Sequence, residues 1–119
     1  MPSDLKERTK AFSLRIIRLY TALPNSTVAQ TIGKQVLRSG TSVGAHYREA
    51  HRARSTAEFV SKLNGGLQEL EETAYWLELL SEAAILETSR LQSLFAETQE
   101  LIAIFVTSIK NAKQNKAKG

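Results

Sequence analysis

The residues of this 119-residue chain best equipped for chemistry lie in the run LRSGTSVGAHYREAHRARS, residues 37–55. His46, Glu49 and His51 are the one cluster there that could serve as general bases or metal ligands. His46 and Glu49 share a helix face, but His51 lies about 140° further round, so a straight helix cannot aim all three at one ion. Di-iron bundles use Glu-x-x-His twice, whereas here the order is His46-x-x-Glu49 and it occurs once. Arg48-x-x-His51 is too short a step for the arginine–histidine pair of the all-helical ribonucleases. The glycines of GTSVGAH suggest a phosphate loop, yet the lysine and the strand–loop–helix setting of such loops are missing. No serine–histidine–acid set is readable either. The expectation is a protein that is not an enzyme and has no metal site and no cofactor.

What remains for the stretch is contact, and that depends on its backbone. On a helical wheel Val28, Ile32, Val36, Val43, Tyr47 and Ala50 fall together, with Gly33, Gly40 and Gly44 beside them. Each interior glycine costs a helix about 1 kcal/mol relative to alanine. The Gly40-x-x-x-Gly44 spacing supplies a compensating reason, since two backbones approach closely where no Cβ intervenes. On the far side lie Lys34, Arg38, Arg48 and Arg52, with small Thr41 and Ala45 between them, a basic stripe roughly 27 Å long. Arg8, Arg15 and Arg18 share one face of the preceding helix, so the two helices together would offer phosphates a continuous positive surface. The alternative is a solvated face on which Glu49 pairs with Arg52 at i, i+3. No aromatic residue lies along the stripe, so base stacking is not expected there.

Four helical segments position these residues. The first, about 4–23, places Leu5, Phe12, Ile16, Leu19 and Leu23 on one stripe. Pro24 ends it, and Ser26 or Thr27 caps the second, about 27–52. Ser55 followed by Glu58 is a capping box that opens the third, about 55–84, with a core stripe of Phe59, Leu63, Gly66, Leu70, Ala74 and Leu77. The fourth, about 89–112, uses Leu91, Leu94, Phe95, Leu101, Ile102, Phe105 and Ile109. The lysine-rich tail 113–119 is expected to be disordered. No linker divides the chain, so residues 1–119 read as one all-α domain, an antiparallel up-and-down four-helix bundle.

Charge is segregated along it. Residues 1–57 carry ten Lys/Arg against three acids, residues 58–109 two against nine, and residues 110–119 four lysines. A basic half suits a polyanion, and the acidic part could equally be its mate within one chain or between copies. The longest apolar run, LIAIFV, has six residues, far short of the roughly 18 a membrane span needs. With no cysteine and no apolar stretch behind the basic N-terminus, a cytoplasmic protein without membrane association is expected. On the third helix Trp76, Leu79, Glu69 and Glu72 lie opposite the core stripe, an aromatic patch of the kind that marks an oligomer interface.

The run QVLRSGTSVGAHYREAHRARSTAEFVSKLNGGLQELEETAYWLELL, residues 35–80, resembles the four helix bundle proteins encoded in intervening sequences of bacterial 23S ribosomal RNA genes. Arg38, Ser39, Ser42, Val43, Glu49, Arg54, Ser55, Glu58, Phe59, Glu69, Glu72 and Trp76 match that family's pattern, and His46 stands where the family usually has asparagine. The resemblance implies a bundle assembling as a ring-shaped homopentamer. A related branch, the accessory proteins of diversity-generating retroelements, is similar in architecture and binds RNA together with a reverse transcriptase. Charge and resemblance together lead to the expectation of a homo-oligomeric bundle that binds RNA or a ribonucleoprotein through Lys34, Arg38, Arg48, Arg52, Arg15 and Arg18. A structural or protein-interaction module without a nucleic-acid role is the alternative.

Overall fold

The computed structural model describes residues 4–118, with side chains through residue 115, as four helices: α1 (Asp4–Thr21), α2 (Thr27–His51), α3 (Thr56–Glu82) and α4 (Thr88–Lys118). No strand occurs among the described residues. Each helix packs on its neighbour in sequence, and α4 returns to α1 with far fewer close backbone approaches, giving a rod about 52 Å long and 20 Å across. Short connections between successive neighbours make this an up-and-down arrangement.

Local chemistry sets the turns. Ser26 accepts from the Ala29 amide at 3.1 Å and so caps α2. Ser55 accepts from the Glu58 amide at 3.1 Å, while the Glu58 carboxylate reaches back to the Arg54 amide at 2.8 Å, a capping box whose return bond lands one residue early. Helix α3 ends with Ala84 at φ 57°, its amide bonded to the Ser81 carbonyl and that of Ile85 to the Leu80 carbonyl. This is the Schellman pattern with alanine in the place glycine normally takes.

The core follows the expected stripes, from Phe12 and Ile16 through Val36, Val43, Leu63, Leu70, Leu77, Leu101 and Phe105. The glycines of α2 face α1: Gly33 lies against Leu23 and Tyr20, Gly40 against Ile16, and Gly44 against Thr9 and Ser13. Between α2 and α3 the buried hydroxyls of Ser39 and Thr73 bond each other at 2.8 Å, and Thr73 also donates to the Glu69 carbonyl.

Three expectations need correction. α1 stops at Thr21, although Leu23 stays buried, because the chain turns before Pro24, which cannot extend the hydrogen-bond ladder. Val28 is 58% exposed and Ala29, one residue and about 100° further round the first turn of α2, takes its core position. α4 runs on to Lys118 rather than fraying at 112, its lysines interleaved with Ala112, Gln114 and Ala117, which favour helix; Gly119 lies outside the described residues.

Candidate nucleic-acid interface

All four cations of the α2 stripe are exposed, but they are not equivalent. Arg38 spans the α2–α3 seam, its Nη1 3.2 Å from Glu69 Oε1 and its Nη2 2.6 Å from Glu72 Oε1. Partial desolvation works against its charge, yet the two carboxylates outweigh that and hold the guanidinium above its ordinary pKa. Arg38, read as an RNA contact, and Glu69 and Glu72, read as interface residues, therefore form one ion-pair cluster within the chain. Lys34, Arg48 and Arg52 have no carboxylate partner among the described residues.

At the other end of α2, Arg48, His51 and Arg52 meet Lys6 of α1 around a small hollow beside Tyr47. Its volume of about 40 Å³ is little more than one water's share of liquid, so the hollow offers surface charge and has no room for a base. The His51 ring stacks on Tyr47, centroids 6.1 Å apart, and burial pushes the Tyr47 phenol up. Glu49 does not pair with Arg52. It lies 3.6 Å from Lys62 Nζ of α3 and 3.9 Å from His46 Nδ1, which leaves Arg52 open to a ligand. His46 faces α3, where its ring occupies the space a Cβ on Gly65 would fill, while His51 sits toward α1, so the two imidazoles diverge.

The expected continuous α1–α2 surface is broken up. Arg8 pairs with Glu97 in a two-pronged contact at 2.8 Å and reaches Glu100 at 2.7 Å, clamping α1 to α4. Arg15 donates to Ser93 Oγ at 2.8 Å and, with Arg18, lines a cleft between α1 and α4 that also contains Arg90. That cleft opens on the opposite side of the bundle from the Arg38 cluster.

On α3, Trp76 packs against the core and its Nε1 is buried without a hydrogen bond, while Leu79 is half-buried. The outward aromatic is its neighbour Tyr75, 53% exposed beside Gln68, Glu71 and Glu72. Sequence reasoning missed Tyr75, Lys6 and Arg90. The first was hidden beside the more conspicuous tryptophan, the second by its distance from the stripe. Arg90 vanished into the net negative count of residues 58–109.

A family model described as 23S rRNA-intervening sequence protein matches residues 3–107. Among solved structures, the chain is similar to a protein of unknown function from the S23 ribosomal protein family of Bacteroides thetaiotaomicron. The two are 39% identical with a TM-score of 0.86, over 92% of this chain and 99% of that one. No curated protein matches the chain significantly.

Proposed function

This chain belongs to the 23S rRNA-intervening sequence protein family, and we propose that it acts in the cytoplasm as a non-enzymatic, homo-oligomeric bundle binding RNA or a ribonucleoprotein. The observation that carries this reading is selective pairing. Arg8 and Arg38 are neutralised by glutamates of the same chain, whereas Lys6, Lys34, Arg48 and Arg52 keep their charges exposed without a carboxylate partner among the described residues. Unpaired cations along α2 and the adjoining start of α1 hold phosphates by releasing counterions, and point charges of this kind position a backbone without reading base edges.

Self-assembly is supported by a second complementarity. The outward side of α3 presents Tyr75 among Glu71 and Glu72, and that of α1 presents Leu14 and Ile17, both exposed, near Lys10. These two faces lie on diagonally opposite helices, so docking one on the other between copies is a head-to-tail contact, the kind that closes into rings. The pentamer implied by the family resemblance is one such ring, and five linked weak sites bind far more tightly than one.

The experiment is fluorescence anisotropy of a short unstructured RNA at several salt concentrations. Arg48→Glu with Arg52→Glu should abolish binding while circular dichroism and light scattering stay unchanged. Milder Arg48→Gln with Arg52→Gln should lower the slope of log K against log salt by about 1.4, two single-strand phosphate contacts. Binding as tight as the parent's in the charge-reversed variant would instead assign both arginines to contacts between copies.

A further inference from the structure

The cleft between α1 and α4 is lined by Arg15, Arg18 and Arg90 above a floor of Leu19, Leu86 and Leu94, with Ala22 at its rim, and holds about 300 Å³. It exists because α1 and α4 are the neighbouring helices that approach least closely. Three arginines line it, and among the described residues no carboxylate pairs with any of them; Arg15 alone has a side-chain partner, the Ser93 hydroxyl at 2.8 Å. Elsewhere the chain does pair its seam arginines, as Arg8 and Arg38 show.

Arg18 has an independent reason for its place, since a cation in the last turn of a helix meets the negative end of the helix dipole. Arg90 has the reverse. It stands in the first turn of α4, at the positive end, where a cation is disfavoured, and it shares its cleft with two further cations. A position that is uphill on both counts becomes favourable when an anion enters. Leu86 and Leu94 are buried beneath, so the floor offers apolar surface to whatever carries that anion. The volume is at the lower end of the range for small-ligand pockets, enough for a phosphate and part of a nucleoside.

We propose that this cleft is a ribonucleotide phosphate site, in which Arg18 and Arg90 clasp the phosphate across the α1–α4 seam, Arg15 supports them, and the nucleoside lies on the leucine floor. The proposal rests on the RNA-binding reading for the source of the ligand and stands on its own geometry for the site. Guanidinium groups suit the role because each presents paired N–H donors that match two phosphate oxygens.

Calorimetry on the intact protein tests it with three probes: inorganic phosphate, adenosine 5′-monophosphate, and a short RNA with or without a 5′-phosphate. The mononucleotide should bind the parent, and Arg18→Gln with Arg90→Gln should weaken it about tenfold or more, the scale of a lost hydrogen bond to a charged group. Lys110→Gln with Lys113→Gln, which removes the same net charge elsewhere, should change it less than twofold. Ala22→Leu, which narrows the rim, should weaken the mononucleotide and leave inorganic phosphate unaffected. Preference for the 5′-phosphorylated RNA would assign the site to a chain end, and equal binding of both RNAs, lost in the arginine variant, to an internal phosphate. An unaffected Arg18/Arg90 variant, an equal loss in the lysine control, or no mononucleotide binding at millimolar concentration would overturn the site, even if RNA still binds through Arg48 and Arg52. Mononucleotide binding that needs Arg18 and Arg90 in a protein that binds no RNA would keep the site and remove the RNA-binding reading.

Discussion

Adding a methyl group at Gly44 and adding one at Gly40 are the same chemical change on the same face of α2, one turn apart, and their effects on stability should differ in sign. At Gly44 a Cβ would lie 3.5 Å from Thr9 Oγ1, 3.6 Å from the Thr9 carbonyl and 3.7 Å from Ser13 Oγ, all ordinary contact distances. Gly44→Ala therefore gains helix propensity, about 1 kcal/mol, with no packing penalty. At Gly40 the Cβ would meet three atoms of Ile16 at 2.6, 2.9 and 2.9 Å, and Ile16 is fully buried and cannot swing away. Overpacking costs roughly 1–3 kcal/mol, so after the propensity gain Gly40→Ala should lose up to about 2 kcal/mol. Ile16→Ala alone should cost roughly 2–5 kcal/mol, and in the double variant the two changes should offset each other by about 0.5–3 kcal/mol. Urea unfolding followed by circular dichroism at one fixed protein concentration measures the parent and all four variants, the fixed concentration being needed because assembly adds to apparent stability. Gly40→Ala matching or exceeding Gly44→Ala in stability, or a strictly additive cycle, would refute the close packing of α1 on the glycine stripe.

Ala84→Gly should raise stability by about 0.5–1 kcal/mol by removing a Cβ from the left-handed position that closes α3, a gain readable as a higher melting temperature. Ser39→Ala should cost about 1 kcal/mol, whereas Ser39→Ala with Thr73→Val should cost less than the two single changes summed, because no buried hydroxyl is then left without its mate; a double-mutant cycle in urea decides it. Tyr75→Ala should lower the mass seen by light scattering without changing the helicity, while Trp76→Ala, which opens a gap against the core, should also lower the urea midpoint; equal masses for Tyr75→Ala and the parent would remove α3 from the interface. Arg8→Ala should cost about 1 kcal/mol at low salt, and less as salt rises, since Arg8 and Glu100 are accessible to screening.

Periodicity made the helices and the core legible, because a stripe at three- and four-residue steps has one buried solution when four helices share it. Ser26 and Ser55 marked two starts with capping chemistry that acts within a few residues. The site was less legible because pairing is a property of space. Nothing in the spacing of Arg38 sets it apart from Arg48, and only the packing of α2 on α3 brings Glu69 and Glu72 to the first and not the second. The wheel put Glu49 within reach of Arg52, but Lys62 on the next helix wins that carboxylate. Net charge by segment concealed Arg90, which lies in a stretch dominated by acids and whose neighbours across the seam are Arg15 and Arg18.

The sparse α1–α4 seam also bears on how the rod breathes. α1 is the shortest helix, seated on the glycines of α2 on one side and tied to α4 on the other by Arg8 and Arg15. As one of the two end helices it holds far fewer contacts than α2 or α3, and it is shorter than α4, so its amide hydrogens should exchange through a partial opening that leaves α2 and α3 protected. A ligand gripped by Arg18 on α1 and Arg90 on α4 spans the two edges of that opening. It would act as a clasp, slowing exchange along the whole of α1, including turns far from the residues it touches.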